Sequence, residues 1–424
     1  NTVVDRWHCK LNTTKFITSM FLTEVRRHND DDLFNWAVSL LASLKDKDFI
    51  AHYIGYGQFT LAVDEHFNDL KYSLTKNKTI VFCYDYILDD VRKRIVDEME
   101  KNKDATLIWI GAEKDPFDHP RIKNIFWPGD MLLQNKEYQK FDNVEKDPSN
   151  EKHWISTSLG SRPHRIYMAS LLKGMKLDKH GELRIKMADN VRPPPVDASQ
   201  SFCKQKLLNV RDPANQVPLG LPTFNFNKSV LSSYVKDKWK LSKEIENISE
   251  ESSQGYQELI KRKWWGSSIF LYKHYMALGQ DQHNNALNFD RHLRHLYKDK
   301  TLEVVNETMH GYNPIFVTEK FINAVIGLNL VIMNGPTGTV RLLEELGWNS
   351  CRHVVNHDYD DITDPIMRCE QAIRLNSKLF GDPAYCNKLW QDNLNILHDN
   401  SKWARDHLYN QILKNCEQQF KEVA

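Results

Sequence analysis

Residues 79–84 read TIVFCY and residues 106–110 read TLIWI; between them, residues 87–101 read ILDDVRKRIVDEMEK. Two short apolar runs flank a stretch in which charged and apolar residues alternate at helical spacing. A buried strand, an amphipathic helix and a second buried strand form a βαβ unit. Strands of that composition belong in a parallel sheet covered on both faces. Residues 124–127 (NIFW) give a third strand, ended by Pro128 and Gly129. Upstream, residues 1–75 are mixed, with a helical pattern over 32–44.

Downstream, residues 141–152 (FDNVEKDPSNEK) are polar, contain a Pro and suit a linker. A second α/β rhythm then begins, with a strand at 153–159 (HWISTSL), the loop GSRPHR, and a helix at 166–173. Residues 188–265 break the rhythm with a PPP run at 193–195 and KRKWW at 261–265, which suits an insertion. Alternation resumes with a strand at 301–305, a helix at 319–326, a strand at 328–333, a helix at 340–346 and a strand at 353–355. Helices follow from 364 to about 418. The fold class expected is therefore α/β, with two Rossmann-like domains facing a central crevice and an insertion in the second. The expected boundaries are 1–150 for the first domain, 151–400 for the second with its insertion at 188–265, and 401–424 for a C-terminal helix.

The bulk properties agree with a globular chain of that size. At 424 residues it is too long for one ordinary core. Lys plus Arg (57) almost balances Asp plus Glu (56), so no global field draws the protein to nucleic acid or membrane. Any such binding needs a local patch. The seven cysteines are odd in number and include no CxxC pair, the pattern of free thiols in a reducing compartment. No apolar run reaches the length of a spanning helix, and no signal peptide is recognisable. The expectation is a soluble, cytoplasmic monomer.

Three stretches carry chemistry. In the first, residues 159–165 (LGSRPHR), Arg162 and Arg165 are bidentate donors suited to a diphosphate, on a loop between a strand and a helix where anions bind. A solvated basic loop is the other reading. In the second, Glu307 closes the strand-like run VVNE, where it would accept from ribose hydroxyls or hold an Arg, or simply face solvent. The third is residues 316–320, FVTEK, opening the apolar run FINAVIGLNLVIMNG. With Thr318 as N-cap, Glu319 fits the helix dipole, while Lys320 opposes it by a few tenths of a kcal/mol. Neighbours on a helix do not face each other, so each charge is expected to serve something else, and an anionic ligand would explain Lys320. An N-capped core helix with an incidental Lys is the plain alternative. Gly335 opens GPTG, a second Gly-rich strand-to-helix turn suited to a phosphate or sugar.

Taken in order, RPHR (162–165), NET (306–308), FVTEKFINAVIG (316–327), GPTGTVRLLEELGW (335–348) and HDYDD (357–361) resemble the donor-binding domain of fucosyltransferase-like GT-B glycosyltransferases. The closest group is one common in bacteriophages and other viruses. The likeness covers about 153–375; residues 1–150 carry no family signature. It implies that Arg162 and Arg165 bind a donor diphosphate, and that Glu307, Glu319 and Lys320, with Thr318 and Gly335, hold ribose and phosphate. The leaving diphosphate would be neutralised by Lys and Arg, without a metal or other cofactor, the donor being a UDP- or GDP-linked sugar.

The activity then expected is an inverting sugar transfer to an acceptor hydroxyl, which needs a carboxylate base. Asp85, ending TIVFCYD, is the first choice, with Asp64 and Asp130 after it. The phage likeness points to the hydroxymethyl group of 5-hydroxymethylcytosine in double-stranded DNA. Arg192, Lys261, Arg262, Lys263, Trp264 and Trp265 in the insertion would hold backbone and extruded base; a helix start with buried Trp is the alternative there. A polysaccharide or glycan acceptor, or a non-catalytic nucleotide-sugar or glycan-binding protein, are the competing functions. Asp358-Tyr-Asp360 fits a metal-holding DxD pattern, but a turn or cap is the preferred reading.

Overall fold

The computed structural model describes residues 7–13, 16–23, 36, 37, 39–41, 49–54, 64–75, 78–84, 86, 87, 89–132, 144–148, 151–158, 163–185, 294–307, 310 and 314–423. The chain is α/β, built on parallel sheets, and separates into two compact units. The first comprises Asn1–Leu133, Pro314–Val317 and Tyr409–Ala424; the second comprises Gln134–Asn313 and Thr318–Leu408.

The first unit holds a six-stranded sheet: β1 (Trp7–Thr13), β2 (Phe16–Thr23), β3 (Ile50–Ile54), β4 (Lys78–Cys83), β5 (Thr106–Gly111) and β6 (Ile122–Phe126). In this sheet β1 and β2 pair antiparallel, while β2 to β6 are parallel and lie side by side in chain order. Two helices described between these strands are α1 (Asp64–Ser73) and α2 (Asp89–Lys101). Crossovers of one hand that always step in one direction put their helices on one face. Accordingly Phe67 and Leu70 of α1 and Val91 and Ile95 of α2 share one core with Val81, Leu107 and Trp109. The alternate residues Ile80, Phe82, Ile108 and Ile110 are also buried, which is why TIVFCY and TLIWI read as unbroken apolar runs.

The second unit holds four parallel strands, β7 (Trp154–Ser158), β8 (Gly181–Ile185), β9 (Leu302–Asn306) and β10 (Leu330–Asn334), in the spatial order β10-β9-β7-β8. The chain starts at β7, steps to β8 on one side, then returns to the other side for β9 and β10. Helix α3 (Pro163–Gly174) follows β7, and α4 (Glu319–Ile326) joins β9 to β10. After β10 come α5 (Thr339–Glu345), α6 (Pro365–Arg374), α7 (Ser377–Gly381), α8 (Pro383–Asp392) and α9 (Leu394–Lys402). A π-turn at Trp403–His407 runs into α10 (Leu408–Val423). Tyr167, Met168 and Leu171 of α3 and Cys369 and Ile373 of α6 pack with Trp154, Leu302, Val304, Leu330 and Ile332. Since side chains alternate along a strand, Glu303 and Val305 face the opposite side. Helix α4, which packs on β9 and β10 outside that core, covers it.

Local chemistry explains several boundaries. Asp364 caps α6 by accepting from the Met367 N–H at 2.8 Å, with Pro365 in the first helical position. Gly181 lies against the Trp154 indole, where a Cβ would stand 1.9 Å from a ring carbon, so only glycine lets β7 and β8 pair there. The strand expected at 353–355 is a turn instead. Cys351 has φ +55°, and the N–H groups of Val354 and Val355 both return to the Cys351 carbonyl, which curls the chain out of strand geometry. No helix among the described residues is long and apolar enough to cross a membrane. Among the cysteines whose side chains are described, Cys83, Cys351, Cys369, Cys386 and Cys416 are buried.

Candidate functional site

The strand order of the second sheet reverses between β7 and β9. In open parallel sheets the crevice beyond the carboxyl ends of strands at such a reversal is where ligands bind. What lies there in this chain is polar and almost entirely buried. Asn306 ends β9 and is paired in register with Asn334, which ends β10. The Asn306 amide donates to Ser156 Oγ of β7 at 2.8 Å, and the Asn334 amide donates to Asn306 Oδ1 at 2.6 Å. Asn334 Oδ1 in turn meets Nε2 of His310 at 2.6 Å, and its carbonyl accepts from the Glu307 N–H at 3.0 Å. A line of hydrogen bonds thus joins the ends of β9 and β10 to the middle of β7.

The first turn of α3 closes on the same edge. His164 Nε2 lies 2.9 Å from the Glu307 carbonyl, and its ring stacks on His310 with centroids 4.8 Å apart and planes 8° from parallel. Burial and the nearby Arg368 guanidinium hold His310 well below the usual imidazole range, so it is neutral. Arg165 Nη2 donates to the carbonyls of Asn306 and Glu307, each at 3.2 Å, and only 3% of the residue is exposed. Arg165 is therefore pinned beneath the strand end rather than solvated.

Glu307, Thr318, Glu319 and Lys320 come together as one cluster. Glu307 is fully buried, which corrects the reading of a solvent-facing carboxylate. Its Oε1 accepts from the Thr318 N–H at 3.1 Å and its Oε2 from the Thr318 hydroxyl at 2.7 Å. Burial raises this carboxyl above its ordinary range, with Lys320 and Thr318 pulling the other way. Lys320 Nζ donates to Thr318 Oγ1 at 2.9 Å and to Glu319 Oε1 at 3.3 Å. The expectation that neighbouring charges cannot meet is thus corrected: at the open end of a helix a long lysine curls back over the first turn. Thr318 has the extended backbone of an N-cap, but its side chain makes no capping bond, because the hydroxyl is committed to Glu307 and Lys320.

The Gly335–Gly338 turn is arranged differently from a phosphate loop. Gly338 takes a left-handed conformation (φ +79°) as N-cap of α5. The helix amides that would meet an anion are already occupied: Asp360 accepts from the N–H groups of Val340 and Arg341, both at 3.0 Å. Asp360 is thus the cap of α5, and Asp358 is exposed. No cluster of metal-ligand type occurs among the described residues.

Arg368, which the sequence reading missed, ties these loops together. Its Nε donates to the Gly335 carbonyl at 2.9 Å, its Nη1 to Thr337 Oγ1 at 2.8 Å and to the carbonyls of Ile362 and Thr363 at 2.5 and 3.2 Å, and its Nη2 to the His310 carbonyl. Burial lowers this guanidinium to about 10. A signal was present: like Lys320, Arg368 is a base in the first turns of a helix, where the dipole disfavours it.

Asp64 opens α1, Asp130 sits in a short helix at Gly129–Leu132, and their side chains, together with Asp85 and Arg162, lie outside the described residues. The same holds for Arg192, Lys261, Arg262, Lys263, Trp264 and Trp265. In the first unit a buried carboxyl went unread: Glu113 accepts from the Ile87 N–H at 3.1 Å and from Arg92 Nη2 at 2.6 Å, and burial pushes it up to about 7. No protein-family model, curated protein or solved structure matches the chain, so its class must be argued from its own residues.

Proposed function

We propose that the chain is a GT-B-type glycosyltransferase of the fucosyltransferase-like group, moving a sugar from a UDP- or GDP-linked donor to an acceptor hydroxyl. The observation that carries this reading is the polar carboxyl edge of the second sheet. Arg165, Glu307, Thr318, Glu319 and Lys320, each singled out in the sequence, cluster at the carboxyl edge beside the reversal of strand order. In this reading the second unit holds the donor.

The chemistry asked of these residues is modest. The acceptor oxygen attacks the anomeric carbon while the bond from that carbon to the diphosphate oxygen breaks. A carboxylate takes the hydroxyl proton, and the configuration inverts. Asp85 is proposed as that base. Lys320 and Arg162 balance the charge that develops on the leaving diphosphate, which is the electrostatic role a metal fills elsewhere. Activity should therefore survive EDTA; a fall to background that Mn²⁺ restores would transfer the role to Asp358 and Asp360.

The favoured acceptor is the hydroxymethyl group of 5-hydroxymethylcytosine in phage DNA, with the basic and aromatic residues of the insertion as its holders. The test offers duplex DNA, with and without that base, together with a mixture of nucleotide sugars, followed by digestion and mass spectrometry of nucleosides. A sugar-bearing nucleoside from the modified duplex alone is expected. Extension of an oligosaccharide in its place would move the acceptor to glycans. Absence of UDP or GDP release, and of a thermal shift, with every donor would end the enzyme reading.

A further inference from the structure

A threonine at an N-cap ordinarily turns its oxygen onto the second or third amide of its own helix. Thr318 does not, and the reason is visible in its two partners. Its single hydroxyl proton goes to Glu307 Oε2 at 2.7 Å, so its lone pairs are left to face Lys320 Nζ at 2.9 Å. The Thr318 N–H, 3.1 Å from Glu307 Oε1, fixes the backbone from which that hydroxyl projects. A fully buried carboxylate thus sets the direction of a hydrogen bond received from an ammonium whose side chain is 14% exposed.

We propose that Glu307 is a positioning residue rather than a ligand-binding one: through the Thr318 hydroxyl it aims the Lys320 ammonium at the diphosphate of the donor. The proposal rests on the glycosyltransferase reading and refines it, since the family likeness alone would set Glu307 against the nucleotide itself. Both Glu307 oxygens are engaged by Thr318, and the residue presents no surface to a ligand. Desolvation of the carboxyl is offset in part by Lys320 and by the two Thr318 bonds, the arrangement expected of a residue kept for what it orients.

Three full-length variants test it. Thr318→Val keeps the side-chain shape and the backbone bond but removes the hydroxyl. Thr318→Ser keeps the hydroxyl. Glu307→Gln turns one acceptor oxygen into a donor, so that the amide and the ammonium compete for the same Thr318 lone pairs. Binding of UDP and GDP is measured by calorimetry, binding of uridine and guanosine by ligand-observed NMR, and folding by thermal melting. The expected result is a loss of about tenfold in affinity for the diphosphate in Thr318→Val and Glu307→Gln, the scale of one hydrogen bond to a charged group. Nucleoside binding should be unchanged, and Thr318→Ser should match the wild type. Equal losses for diphosphate and nucleoside, or none for either, would overturn the latch while leaving the donor reading standing. A wild-type chain that binds neither diphosphate would overturn both together.

Discussion

In the first unit the parallel strands lie across the sheet in the order the chain makes them, from β2 to β6; in the second the chain begins in the middle and turns back. Sequential order keeps α1 and α2 on one face and, among the described strands, opens no crevice of the kind a reversal makes. The one buried carboxyl described at the carboxyl edge of the first sheet, Glu113, is closed off by Arg92 and the Ile87 amide. At the reversal in the second, Ser156, Asn306, Asn334 and His310 form a line, with Glu307 and Thr318 beside it. Two sheets of similar apolar strands thus differ in where they keep buried polar groups, and strand order accounts for the difference.

Each sheet has a glycine set against a tryptophan, and these give the largest test. A Cβ on Gly181 would stand 1.9 Å from the Trp154 ring, while one on Gly111 would stand 2.5 Å from the Trp109 ring nitrogen. By denaturant unfolding, Gly181→Ala should cost about 3 kcal/mol or more and Gly111→Ala about 1 to 2. Equal costs would mean that the β7–β8 contact is no tighter than its counterpart.

Next in size is a pH effect. Burial raises Glu113 to about 7 and Glu303, on β9, to about 8, from an ordinary value of 4.5. A carboxyl that holds its proton more tightly when folded contributes stability that is full below about 4.5. That contribution is lost as pH rises through the folded value. Wild-type stability relative to Glu303→Gln should therefore fall by roughly 2 kcal/mol between pH 4.5 and 8, after relaxation is allowed for. Relative to Glu113→Gln the fall should end near pH 7. Lys146, whose ammonium donates to the Tyr297 carbonyl and to Asn329 Oδ1 at 2.8 Å each, is lowered by burial and acts in the opposite direction. Because Lys146 and Glu303 act on each other, the Glu303→Gln comparison reads the titration of the pair. A flat difference in pH would show that the carboxyls are not buried as described.

Smaller again is Asp360→Ala, which should cost about 1 kcal/mol as the loss of a cap on α5. A much larger loss, reversed by a divalent ion, would reinstate the metal reading. Smallest is Arg341→Ala. Arg341 and Asp361 meet at 2.9 Å with most of both side chains in water, and such a pair is worth less than about 0.5 kcal/mol. Set beside the buried Arg92–Glu113 pair, it separates surface from interior electrostatics.

Much of this was legible in sequence, and unevenly. The bounds of α4 agreed with the expected helix because Thr318 supplies an extended N-cap and Gly327 follows the last apolar turn. TIVFCY and TLIWI were readable because burial on both faces demands apolar residues at every position. Strand order was not, since periodicity identifies a strand and says nothing of its neighbour. Nor was the Glu307–Thr318 pairing, which joins residues 11 apart on different elements. The antiparallel pair β1 and β2 lay in a stretch read only as mixed. The turn at 352–355 shows the converse failure: two adjacent valines suggest a strand, but a left-handed Cys351 decides the path first.

Arg368 has a bearing on how this protein can vary. One guanidinium holds carbonyls from the segment after β9, the turn after β10 and the stretch before α6. Adding or deleting a single residue in any of the three would slide its carbonyl out of reach and leave a buried cation short of acceptors. Among relatives, these loops should therefore keep constant length even where their side chains drift. Gaps in an alignment should gather elsewhere, and a designer wishing to graft new specificity should substitute within these loops rather than lengthen them.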